Sequence, residues 1–90
     1  MDLARVELYV LRCPLQELEF RHVSGVYLLG NVPTKPAWWS VGYQAPGQML
    51  WDWYTCRGLR TVITLIEQTY PELYAWLVFR FPGEGYKEEE

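Results

Sequence analysis

The groups in this chain that could do proton or nucleophile chemistry are few and scattered. There is one histidine, His22, and there are two cysteines, Cys13 and Cys56. A general base needs an orienting partner and a nucleophile within hydrogen-bond reach. No spacing brings His22 to Cys13, Cys56 or Ser24, so an ordinary surface histidine is expected. Asp52 with Glu67 or Glu72 lacks the spacing of a paired-carboxylate site. Cys56 is the one reactive-group candidate, because a helix is expected to begin beside it, where a thiolate is stabilised, with Arg57 and Arg60 at hand. A buried structural thiol is the simpler reading of that residue. The cysteines do not have the paired spacing of a metal knuckle, and no phosphate-binding motif is present. No enzymatic activity, metal or cofactor is expected.

The other chemistry on offer is aromatic. Residues 37–54 hold four of the five tryptophans, on either side of a turn at Pro46-Gly47. Trp38 and Tyr54 supply flat apolar faces, and Gln44, Gln48 and Asp52 supply hydrogen-bonding groups beside them. Ligand pockets combine these two kinds of surface. Stacked bases of a single strand would also suit aromatic faces with arginines nearby. Against nucleic acid stand eleven acidic residues to eight Lys plus Arg, a formal charge of -3. The basic residues are spread along the whole chain, whereas a phosphate-tracking surface needs them clustered.

The elements that must position these groups follow from periodicity. Residues 4–12 alternate, with Val6, Leu8 and Val10 on one face, which predicts a strand. Leu18 and Phe20 alternate with Glu17, Glu19 and Arg21, and the pattern resumes at Val26 after Ser24-Gly25. That predicts a hairpin, although Glu17 and Glu19 also suit a short helical turn. Pro33 to Pro36 is a loop. The aromatic segment is itself a hairpin. From residue 57 the period changes: Leu59, Val62, Ile63, Ile66 and Tyr70 lie on one helical stripe. Thr55 is the expected N-cap, and Pro71 stops the helix. Residues 73–81 alternate again, predicting a last strand with Leu73, Leu77, Phe79 and Phe81 on one face. The fold class is α+β, with a mainly antiparallel sheet of about five to six strands, a meander of hairpins, and one helix from the C-terminal half packed on one face. One domain is expected over 1–82, followed by an acidic solvated tail at 83–90.

The register of the aromatic hairpin decides which rings are buried, since a one-residue slip exchanges the faces. Pairing Tyr43 with Met49 gathers Trp39, Val41, Tyr43, Met49, Trp51 and Trp53 under the helix and keeps Asp52 out of the core, where burial unpaired would cost several kcal/mol. Trp38 and Tyr54 then lie opposite each other on the second face. There they are joined by Leu50, by Tyr9, Leu11, Tyr27 and Leu29, and by Tyr74, Trp76 and Val78 of the last strand. One helix cannot cover both faces, so the second face either curls into a half-barrel or meets a partner. Trp38, Leu50, Tyr54, Tyr74 and Trp76 are the expected partner-binding residues, and Gln44, Gln48 and Asp52 the ligand-binding ones. The function expected is a small non-enzymatic protein-interaction module of inhibitor or adaptor type, of the kind phages encode, engaging a protein partner or a second copy of itself. A small-ligand-binding domain and a single-stranded nucleic-acid binder are the alternatives. No apolar run approaches the roughly 20 residues that span a bilayer, and no secretory core precedes the first charged residues. A cytoplasmic protein with two free thiols is expected, a Cys13–Cys56 disulfide being the other possibility.

Overall fold

Two alternating runs meet at Val23-Ser24 and fold back on each other as β1 (Glu17–His22) and β2 (Gly25–Asn31), paired His22↔Gly25 through Glu17↔Gly30. The turn needs Gly25, whose φ is +140°; a side chain there would be strained. The computed structural model describes residues 7, 10, 11 and 17–79. Beyond β2 the proline loop closes by Val32 N–H donating to the Trp38 carbonyl at 3.0 Å, with the Asn31 amide donating to the same oxygen at 2.8 Å. It delivers the chain into β3 (Trp38–Gln44), which a longer loop connects to β4 (Asp52–Arg57). The four strands form one antiparallel sheet in chain order, a meander with β1 and β4 at its edges. Two helices follow among the described residues, Leu59–Thr69 and residues 71–79.

The helix Leu59–Thr69 forms where its stripe predicts, burying Leu59, Val62, Ile63 and Ile66 over β3 and β4. Its N-cap is Gly58, with no side-chain cap, instead of Thr55. Thr55 is engaged in β4, which runs on to Arg57 and so delays the helix start. Tyr70 closes the helix before Pro71.

The α+β class stands, but the described residues form four strands where five to six were expected, and the described parts of two segments expected as strands are helical. Residues 71–79 form a second helix, not a last strand. Leu73 and Leu77 are four apart and share a face in either geometry. Phe79 tells the two apart, since a strand would bury it with Leu77, and it is 87% exposed while Leu77 is 0%. Pro71, read only as a stop, also suits the first position of a helix, where its missing N–H costs nothing. In the N-terminal segment Glu7, Val10 and Leu11 are helical where a strand was expected. Val6 and Val10 share a face at helical as well as strand spacing. Val10 is in the core, and the Arg60 guanidinium grips Glu7 Oε1 from Nε at 2.8 Å. Tyr9, Cys13, Phe81 and the acidic tail at 83–90 lie outside the described residues.

The hairpin register also differs. Tyr43 pairs with Asp52 and Trp38 with Arg57, leaving residues 45–51 as a loop. Asp52 therefore does share a face with Trp39 and Tyr43. The desolvation cost that argued against this does not arise, because Asp52 is exposed at the very start of β4. Tyr27 and Leu29, expected on the second face, are buried on the helix-covered one with Trp39 and Val41. The covered face carries one cross-strand aromatic row, Phe20↔Tyr27↔Tyr43, with centroid separations of 5.8 and 4.9 Å. Tyr70 caps this row, 5.3 Å from Tyr43 and 5.4 Å from Tyr27. The two helices divide the face: Leu59–Thr69 lies over β3–β4, and 71–79 is seated over β1–β2 by Trp76 stacked on Phe20 at 4.7 Å.

Candidate interaction surface

The expected partner-binding residues do not come together. Trp38 begins β3 on the open face, away from the helices, half-buried beside Val32, Lys35 and Thr55. Tyr54 pairs with Val41 on the covered face and sets its ring edge-on to Tyr70 at 6.3 Å. The expected Trp38–Tyr54 pair is thus split across the sheet by the register. Tyr74 and Trp76 lie on helix 71–79, not on a strand, and Trp76 is committed to Phe20. Leu50 is 82% exposed in the loop preceding β4. Of the ligand-binding candidates, Gln44 ends β3 and donates from Nε2 to the Met49 carbonyl at 3.4 Å. Gln48 is exposed in the same loop, its N–H on the Ala45 carbonyl at 3.1 Å. Asp52 faces Tyr43 on the other side of the sheet from Gln44. The strand faces thus separate Asp52 from Gln44.

In place of those groupings the structure brings together two others. The first is Trp53, expected in the core and in fact 53% exposed. It pairs with Gly42 and lies flat on it: a Cβ at Gly42 would come within 2.5 Å of the indole ring. Trp51 stacks on Trp53 at 5.6 Å. The pairing glycine was the available signal, since a glycine inside a strand marks close approach by another group. Of the expected core tryptophans only Trp39 is in the core. Trp53, Leu28, Gly30 and Ser40 wall a groove of about 460 Å³ on the open face, with Glu17 and Pro33 at its ends. Met49, Leu50, Trp53 and Tyr54 place most of the large exposed apolar side chains of the described residues within one short segment.

The second grouping is polar. His22 Nδ1 is 2.8 Å from Ser24 Oγ, and the same nitrogen accepts the Ser24 N–H at 3.1 Å. Ser24 Oγ reaches Glu72 Oε2 at 3.1 Å, and Tyr27 donates its phenol proton to that carboxylate oxygen. Tyr43 donates to the Ser24 carbonyl at 2.7 Å. So His22 does meet Ser24, against expectation, through the two-residue turn. The order of groups is not that of a nucleophile relay, in which the imidazole stands between hydroxyl and carboxylate. Here the hydroxyl stands between them, already flanked by three groups. What the cluster does is tie helix 71–79 to the β1–β2 turn. The two hydroxyl donors hold Glu72 below the usual carboxylate range, Tyr27 being the larger cause. Burial first, and then the bond to Glu72, pushes Tyr27 up to about 12.

Cys56, the reactive-thiol candidate, is a free cysteine, half-buried opposite Trp39 on the covered face. Among the described residues no three His, Cys, Asp or Glu side chains gather as metal ligands. No helix among them is long and apolar enough to cross a membrane. No family model, curated protein or solved structure matches the chain.

Proposed function

We propose that the chain is a small non-enzymatic protein-interaction module, of inhibitor or adaptor type, acting in a reducing compartment such as the cytoplasm, which suits the free thiol at Cys56. The observation that carries this reading is the run of exposed apolar side chains at Met49, Leu50, Trp53 and Tyr54. Trp53 and Tyr54 stand on opposite faces of the sheet, so the run offers apolar side chains on both sides of β4, and burying them against a protein removes apolar area from water. Trp and Tyr are also the residue types enriched at binding hot spots. The test compares partner capture by the wild type and by Leu50→Asp. Leu50 is 82% exposed in a loop, so the substitution is expected to leave the melting temperature within about 2 °C. A partner retained by the wild type and lost by L50D supports the reading, and equal retention by both overturns it.

Small-ligand capture is the second reading, favoured by the groove at Trp53. Its volume of about 460 Å³ is in the range of ligand sites. A thermal-shift screen with sugars and nucleotides reports on it, because a specific ligand raises stability by mass action. No shift with any compound at millimolar concentration would leave the protein partner as the sole reading.

A further inference from the structure

β4 ends the sheet, and the phase of its hydrogen bonding can be read from one contact. Gly58 N–H donates to the Ala37 carbonyl at 2.7 Å, one step beyond the Trp38↔Arg57 pair. Bonded and non-bonded pairs alternate in an antiparallel ladder, so Asp52, Tyr54 and Cys56 point their backbone groups at β3. Trp53, Thr55 and Arg57 point theirs outward. No backbone hydrogen bond outside the ladder uses these groups among the described residues. The side chains of the same three residues stand on the open face, and all three are exposed.

We propose that β4 pairs with β4 of a second copy of this chain about a two-fold axis, giving an eight-stranded sheet. This concerns the outer edge of β4, which shares only Trp53 with the exposed run described above, and it rests on the reading of the chain as an interaction module. The register follows from geometry. A two-fold between antiparallel neighbours keeps each face on its own side, so directly opposed residues must have the same parity. The outward-facing residues are the odd-numbered ones, and the pairing that engages all of them centres on Thr55. Thr55 then meets Thr55 of the other copy, and Trp53 meets Arg57 at both ends. The guanidinium over an indole face is a favourable charge–quadrupole contact. Each Arg57 would lie between the Trp53 it meets and Trp38 of its own β3, its cross-strand neighbour. Threonine opposite threonine is likewise a stabilising cross-strand pair.

The other edge is built differently. By the same alternation β1 turns the backbone of Glu17, Glu19 and Arg21 outward, and a two-fold centred there sets Glu19 against itself between two Glu17–Arg21 pairs. Like charges directly opposed are destabilising, and charged residues are a known guard on sheet edges. Seating β4 on β1 of the next copy would leave a new edge each time and grow without closing, whereas the β4–β4 pairing closes at two chains.

The test is the solution mass of the full chain by sedimentation equilibrium, from about 10 to about 200 µM, where mass action reveals a weak dimer. The expected result is a monomer–dimer equilibrium reaching twice 10.7 kDa. Thr55→Lys and Thr55→Asp each place like charges across the axis, and each is expected to weaken the dimer at least about tenfold. Mixing the two variants is expected to restore a two-chain species. The Trp53, Thr55 and Arg57 amides should exchange more slowly as concentration rises. A chain that stays monomeric throughout, species growing beyond two chains, or a dimer indifferent to T55K and T55D overturns the proposal. Leu50→Asp lies outside the ladder and should leave the dimer intact. Failure at Thr55 is therefore read separately from failure of the loop surface.

Discussion

At Gly42 the missing Cβ is what lets the Trp53 ring lie on the strand, and at Gly25 it is what lets the β1–β2 turn close against β3. The two glycines make a controlled comparison, because their neighbours differ in how far they can yield. The three atoms nearest a Cβ at Gly42 are ring atoms of Trp53, at 2.5 to 2.8 Å, and that indole is half exposed. Gly42→Ala should lift the ring toward water at a cost of about 1 kcal/mol. The expected signature is a red-shifted tryptophan emission with the fold retained. A Cβ at Gly25 meets the Gln44 backbone carbonyl at 2.5 Å, at a φ of +140° that side chains rarely adopt. Backbone strain of that kind costs about 1–3 kcal/mol before the clash is counted. Gly25→Ala should therefore be clearly the worse of the two in urea denaturation, and the reverse order would mean that Trp53 is not free to move.

Between elements, the deciding residues are those whose burial differs between strand and helix. Leu77 is fully buried and Phe79 is exposed. Leu77→Ala is expected to cost about 2–5 kcal/mol, as deletion of a core leucine side chain does, and Phe79→Ala less than about 0.5 kcal/mol. A strand at 73–81 would make both substitutions costly, so equal losses would reinstate it. The same residues explain what was legible in the sequence. The helix Leu59–Thr69 was readable because five apolar residues occupy one stripe that no alternating pattern fits. The β1–β2 hairpin was readable from its alternation and its glycine. Residues 71–79 were not, because Leu73 and Leu77 satisfy both periods and the choice turned on Phe79. The register of the aromatic hairpin is not legible in the sequence, because a desolvation cost for Asp52 argues against the observed pairing only if its position is in the core, and Asp52 is exposed at the start of β4. A strand end that extends past its covering helix carries no such cost. The candidate site followed the register: Trp38 and Tyr54 were joined by a pairing the chain does not use, and Trp53 was hidden by it.

For the molecule as a whole, the titrating groups that fasten the helices to the sheet set the pH range of stability. Tyr27 and Tyr70 are both pushed up to about 12 from an ordinary 10.0, burial being the largest cause in each. For Tyr70 the neighbouring Tyr54 and Asp52 add to it through their negative charge. A phenol whose folded value is raised stays protonated in the native state after it has ionised in the unfolded chain. Its contribution is therefore complete below pH 10 and is lost as pH climbs toward 12. With both phenols shifted in the same direction, the unfolding free energy is expected to fall across that window. Glu72 has the opposite sign. Its folded value is lowered, so its contribution is present above its ordinary 4.5 and disappears as pH drops below that. The unfolding free energy, followed by denaturant titration at a series of pH values, should thus show a plateau with a fall at each end. Tyr27→Phe separates the causes. It removes one of the two phenols and the principal donor to Glu72, so the alkaline fall should shrink by about half and the acid fall should become shallower, while Tyr70→Phe should reduce only the alkaline one. An acid limb unchanged by Tyr27→Phe would show that the Tyr27–Glu72 bond is not what holds helix 71–79 on the sheet, and would pass that role to the Phe20–Trp76 stack.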